Sequence, residues 1–212
     1  MSHPAVFLDR DGVLVEEVFY PESGETEAPL RPEDVRLLPG AAAAASALAQ
    51  SEYKLVLLSN QAAYAKGKTS LRNLWLVHER FVALLAREGV TIDAVFYCYS
   101  HPDGVMPYFS GPSLDRKPGP YNVIVAAAHL DLDLARSWLV GDRETDIACA
   151  QAAGVRPILV ENARDPARRP AGIIGAADFA AAAAIILESR RAEAALGSTD
   201  FRVTPARLDR AP

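Results

Sequence analysis

The stretch "VFLDRDGVLV", residues 6–15, decides how this sequence is read. Three apolar residues that favour burial run directly into Asp9, Arg10 and Asp11, and a buried strand needs a reason to end on two acids. Side chains two apart on a strand share a face, so Asp9 and Asp11 can look into one crevice while Arg10 points elsewhere. Carboxylates that close repel each other unless a cation sits between them or one is protonated. Mg2+ suits such a pair, because it takes oxygen ligands and keeps waters and substrate phosphate in its shell. Gly12 then lets the chain turn away. A calcium loop does not fit, since its sixth position, counted from Asp9, requires glycine and holds Leu14. The plain alternative for a lone D-x-D-G is a solvated strand end.

Working outward, the same rhythm recurs. Apolar runs at "AVFLD" (5–9), "KLVLLS" (54–59), "AVFYCY" (94–99), "SWLVGD" (137–142) and "RPILV" (156–160) alternate with helix-like segments over 40–50, 70–87, 119–129, 144–153 and 179–195. That alternation predicts parallel strands covered by crossover helices: an α/β, three-layer, Rossmann-like domain. The two alanine-rich runs fall where a helix is needed, and alanine is the best helix former. The chain has 212 residues, enough for one sizeable core. The expected layout is a single domain over 1–196, with a polar Pro/Gly/Glu-rich flap near 16–34 and an aperiodic C-terminal tail over 197–212. The intervals from Asp11 to Ser59 and from Ser59 to Lys117 have room for core elements and loops, not for a separate cap domain.

Half the residues are hydrophobic and the formal net charge is -5, which argues against nucleic-acid or membrane-surface binding, since both need a positive field. The N-terminus lacks the basic segment and apolar run of a signal peptide, and no stretch approaches a membrane span. The expected compartment is therefore the cytoplasm, and Cys98 and Cys149 suit its reducing conditions. A small phosphorylated metabolite stays open as a partner, because a local pocket can be basic.

Further polar residues gather where strands end, the edge at which open parallel sheets bind ligands. "LLSNQ" places Ser59, Asn60 and Gln61 after the second strand, where hydroxyl, amide and backbone N–H groups can hold phosphate oxygens. An ordinary polar turn reads the same way. Lys66 and Lys68 flank a flexible Gly67. In "DRKPGP", Arg116 and Lys117 precede Pro118, and a lysine at a helix start, where the dipole disfavours it, suggests a local reason. "VGDRETDI" sets Asp142 at a strand tip, and Asp146 follows one helical turn later. An acid in the first turn of a helix is favourable in any case, so Asp146 reads as a helix-start acid and Asp142 as the metal candidate.

The order D-x-D-G, S-N, K-P, G-D-x-x-x-D, each at a strand end or in the loop beyond, resembles the haloacid-dehalogenase-like (HAD) phosphohydrolases. It is most similar to the group that includes D-glycero-D-manno-heptose 1,7-bisphosphate phosphatase and the histidinol-phosphatase domain. "FLDRDGVL", "LLSNQAAYAKG", "DRKPGP" and "VGDRETDIACAQAAG" carry the resemblance over about residues 4–160. It implies a HAD-like fold and phosphomonoester hydrolysis through an aspartyl-phosphate. Asp9 would be the nucleophile, Asp11 the acid and base, and Lys117 the neutralising cation. Ser59 and Asn60 would bind the phosphoryl group, with Gln61 and Arg116 also on the substrate. Mg2+ would be held by Asp9, Asp11 through its backbone carbonyl, and Asp142.

The chain also departs from this group. A structural zinc loop is usual there, yet Cys98 is followed by Ser100 where His is expected, and Ser113 and Asp115 occupy two cysteine positions. One of four ligands remains, so no structural zinc is expected; nothing supports His101 as a substitute. Ala63 replaces a usual glycine after S-N-Q. The expected substrate is a heptose 1,7-bisphosphate. The alternatives are histidinol phosphate, whose ammonium group could meet Glu22, Glu25 or Glu27, and a non-catalytic binding protein on the same fold.

Overall fold

The computed structural model describes residues 2–161 and 170–197. Strand β1 (Ala5–Leu8) is buried at every position. After it come the short strands β2 (Val18–Tyr20) and β3 (Glu25–Glu27), helix α1 (Ala41–Ala49), β4 (Lys54–Asn60) and α2 (Leu71–Arg87). The second half runs β5 (Ala94–Cys98), α3 (Tyr121–Leu130), β6 (Trp138–Gly141), α4 (Glu144–Ala153), β7 (Arg156–Val160), β8 (Ile174–Ala176) and α5 (Phe179–Gly197).

Six strands form one sheet in the order β5-β4-β1-β6-β7-β8, and every pairing is parallel. The chain builds outward from β1 through β4 to β5, then returns to lay β6 on the other side of β1. That reversal opens a crevice above the carboxyl ends of β1, β4 and β6.

Side-chain alternation divides the core between the two faces. Val6, Leu8, Leu55, Leu57 and Val140 pack with α1, α2 and α5, while Ala5, Phe7, Val56, Leu58 and Leu139 pack with α3 and α4. Helix α2 shows how the pattern selects its face: Leu74, Val77, Phe81 and Leu85 are buried at helical spacing. Its first turn is capped by Ser70, whose hydroxyl accepts from the Asn73 N–H at 3.1 Å.

The predicted three-layer α/β architecture is therefore observed, and among the described residues no separate cap domain is present. The flap is more ordered than its composition suggested: β2 and β3 pair antiparallel. Tertiary contacts hold it. The Tyr20 hydroxyl donates to Asp34 Oδ2 at 2.8 Å and accepts from the Leu30 N–H, and Lys68 bridges Glu25 and Glu27. Strands of three residues such as β2, β3 and β8 are too short to show a period of two, which is why the sequence does not announce them. The predicted tail lies, beyond residue 197, outside the described residues. No helix among those described is long and apolar enough to cross a membrane.

Phe81 has no solvent exposure and ties α2 to the sheet. Phe81→Ala should destabilise the protein by about 3–5 kcal/mol, read as a fall in the urea midpoint; a loss below about 1 kcal/mol would contradict this packing.

Candidate active site

Asp9 directly follows β1, and its N–H still donates to Val140 O at 3.0 Å, so the residue is fixed by the sheet itself. It lies on the Phe7 side of the strand, toward α3 and α4. There its Oδ1 accepts from the Arg10 N–H at 2.8 Å and meets Lys117 Nζ at 3.1 Å.

Lys117 reaches this position because β4 holds its backbone. Asn60 Oδ1 accepts from the Lys117 N–H, and Asn60 Nδ2 donates to Lys117 O, both at 3.1 Å. The side-chain amide expected on the phosphoryl group is thus turned to the lysine loop. The buried Lys117 ammonium donates to Leu58 O at 2.9 Å and meets Asp146 Oδ1 at 2.5 Å. Burial opposes its charge, but Asp146 and Asp9 outweigh that and hold its pKa above the ordinary lysine value.

Asp146 has no solvent exposure, and burial raises its carboxyl above the ordinary aspartate range despite Lys117. Its other oxygen accepts from the Arg143 N–H at 3.0 Å and so closes the first turn of α4. Gly141 makes this possible, since a Cβ there would lie 2.2 Å from Asp146 Cβ. The sequence reading had assigned Asp146 to the helix dipole alone; the G-D-x-x-x-D spacing with its glycine was the available signal.

Asp9, Asp142 and Asp146 are all buried, and each presents an oxygen within 4.8 Å of the others. An all-carboxylate cluster has the donor chemistry of a hard divalent cation, and it fits Mg2+. Asp142, the metal candidate of the sequence, is one of its three members. The Asp11 carboxylate instead turns to Arg10, which donates from Nε to Oδ1 at 2.9 Å and from Nη2 to Oδ2 at 3.1 Å. Gly12, at φ 79°, takes the chain away behind it.

Gln61 is buried, and its amide donates to Asp11 Oδ2 at 2.6 Å and to Ser59 Oγ at 3.1 Å. Asp9, Asp11, Ser59 and Lys117 line a cavity of about 700 Å3, together with Lys66 and Arg116. Arg116 is anchored by donating to Ser100 O at 3.1 Å. Across the mouth, Arg143 donates to Glu17 at 3.0 Å. A buried carboxylate, a fixed ammonium and a cluster of acids at one strand edge have the chemistry that phosphoryl transfer requires.

Comparison with known proteins agrees. Residues 114–182 match the HAD-hydrolase-like family model. The D-glycero-D-manno-heptose-1,7-bisphosphate 7-phosphatase of Thermosynechococcus vestitus is 41% identical over 165 residues, 76% of this chain and 80% of that one. The D-glycero-beta-D-manno-heptose-1,7-bisphosphate 7-phosphatase of Vibrio cholerae is 35% identical, over 73% and 79% of the two chains. Among solved structures, the D,D-heptose 1,7-bisphosphate phosphatase of B. bronchiseptica, complexed with magnesium and phosphate, superposes with a TM-score of 0.74 at 30% identity. That match covers 88% of this chain and 99% of its counterpart. The chain belongs to the haloacid-dehalogenase-like phosphatases, hydrolases of phosphoric monoesters.

Cys98, at the end of β5, donates to Asp115 Oδ1 at 3.2 Å, and the Ser113 hydroxyl donates to the same oxygen. Burial, then the contact with Asp115, pushes the Cys98 thiol up to about 11; burial does the same for Cys149, also to about 11. A raised thiol pKa leaves roughly one thiolate in a thousand at pH 8. Iodoacetamide should therefore modify both native thiols at least about 100-fold more slowly than in the urea-unfolded chain; equal rates in a mass-spectrometric time course would contradict the placement.

Proposed function

We propose that this protein hydrolyses the phosphate ester of a small sugar phosphate, with D-glycero-D-manno-heptose 1,7-bisphosphate as its substrate and the 7-phosphate as the group released. The observation that carries this reading is the buried contact of Asp9 with Lys117 in the cavity. It sets the carboxylate that would attack beside a fixed cation and aims that cation at the phosphoryl oxygens.

Asp9 attacks phosphorus, the bond to the ester oxygen breaks, and Asp11 gives its proton to that oxygen. A water then attacks the aspartyl-phosphate, its proton passing to Asp11, and inorganic phosphate leaves Asp9 as a free carboxylate. Ser59 binds the phosphoryl group and Lys117 offsets its charge. Asn60 serves the same group by holding the Lys117 backbone. Arg116 and Lys66 face the part of the substrate that is not cleaved. When bound, Mg2+ supplies further charge neutralisation; the Asp9 and Asp142 side chains and the Asp11 backbone carbonyl would hold it, with Asp146 beside them.

The histidinol phosphate alternative loses its motivation here, because Glu25 and Glu27, two of the acids that would meet an ammonium group, are paired with Lys68. A non-catalytic role sits poorly with a complete set of reacting groups in one cavity. We further infer that the loop between β5 and α3 carries no structural zinc. Its former ligand positions, Cys98, Ser113 and Asp115, bond to one another, and His101 Nδ1 accepts from the Asp103 N–H. A cytoplasmic location completes the reading, supported by two buried cysteines present as free thiols.

The test is phosphate release from a panel of sugar phosphates and histidinol phosphate. Heptose bisphosphate should be the preferred substrate, EDTA should abolish turnover and added Mg2+ restore it. Asp9→Asn should lower kcat by at least about 1,000-fold; wild-type rates in that variant would exclude the proposed nucleophile.

A further inference from the structure

Arg10 is the largest fully buried side chain among the described residues. A guanidinium out of water is costly unless its donors are spent on well-placed acceptors. Here Nε and Nη2 grip both oxygens of Asp11 at 2.9 and 3.1 Å, and Nη2 also donates to Gln61 Oε1 at 2.6 Å. Gln61 closes the ring by donating to Asp11 Oδ2. Behind Arg10, the Tyr97 ring centroid lies 5.6 Å from the guanidinium carbon, and the Tyr97 hydroxyl is 3.0 Å from His78 Nδ1.

The Asp11 carboxylate is thus held by three donors and turns only if they break. Nothing about a buried turn requires this. A planar fork fixes a carboxylate in orientation as well as in place, which a point charge does not. Orientation matters for a group that must deliver a proton to one particular oxygen.

We propose that Arg10 and Gln61 are positioning residues for proton transfer: together they station the Asp11 carboxyl from which the leaving oxygen takes its proton. Arg10 lies behind the cavity that Gln61 helps to line, and both act through Asp11. The inference rests on the acid role given to Asp11 above. As the P–O bond breaks, its electron pair moves onto the ester oxygen; a sugar alcohol needs the proton at that moment, whereas p-nitrophenolate leaves without it. Loss of positioning therefore harms phosphoryl transfer to Asp9 from the first substrate and spares it from the second; the later attack of water, which also uses Asp11, is common to both and does not enter kcat/KM.

The experiment compares kcat and KM for heptose bisphosphate and p-nitrophenyl phosphate in wild type, Asp11→Asn, Arg10→Lys and Gln61→Met. Both positioning variants should lower kcat/KM on the sugar phosphate about 10- to 100-fold, while kcat/KM on p-nitrophenyl phosphate stays within about threefold. An equal fall in kcat/KM on both substrates, or no fall on the sugar phosphate, would overturn the proposal. Should Arg10→Lys fail to fold, Gln61→Met decides by the same comparison. Asp11→Asn separates the two claims: if it loses leaving-group dependence, the acid role of Asp11 falls and the positioning role with it. If it alone shows that dependence, only the roles of Arg10 and Gln61 fall.

Discussion

The active centre depends on one buried ammonium. Lys117 Nζ lies between Asp9 and Asp146, 3.1 and 2.5 Å away, with Leu58 O as its third partner. Removing one member of a buried ionic set costs about 3–5 kcal/mol, because the charge left behind has no water to turn to. Three separate parts of the chain, the end of β1, the loop before α3 and the start of α4, are held together by that constraint. In the proposed reaction the same arrangement would serve, since a lysine that stays charged in a buried site can oppose charge on a phosphoryl group.

Around this centre the sheet sorts charges by the alternation of its first strand. Asp9 continues the Phe7 side and meets the lysine, while Arg10 continues the Leu8 side and is buried away from the cavity, where it grips Asp11. Adjacent residues of "DRD" thereby serve two layers, one that meets Lys117 and one that holds Asp11. Asn60 and Gln61 repeat the division after β4: one fixes Lys117, the other fixes Asp11. Both are amides that donate and accept at once, which a backbone clip and a shared carboxylate each require.

Much of this was legible in the sequence. Residues at strand tips, Asp9, Ser59 and Asp142, could be placed because an apolar run ends where they begin. Asp146 could not, because an acid in a first helical turn has a sufficient local explanation and its pairing with Lys117 is long-range. Gln61 and Asn60 were legible as polar residues near phosphate, but not as partners of Asp11 and of the Lys117 backbone, since a side chain's target depends on packing between strands. The β2–β3 hairpin was hidden for the same reason: Tyr20 and Lys68 hold it through residues remote in sequence.

The central claim is that the carboxylate at the end of the first strand accepts the phosphoryl group. Its most direct test is to quench the enzyme in acid during turnover, reduce with borohydride and map the peptides. An acyl phosphate is reduced to the alcohol, so the account predicts homoserine at position 9, dependent on substrate and absent from Asp9→Asn. Homoserine at another aspartate, or none under conditions where phosphate is being released, would contradict it.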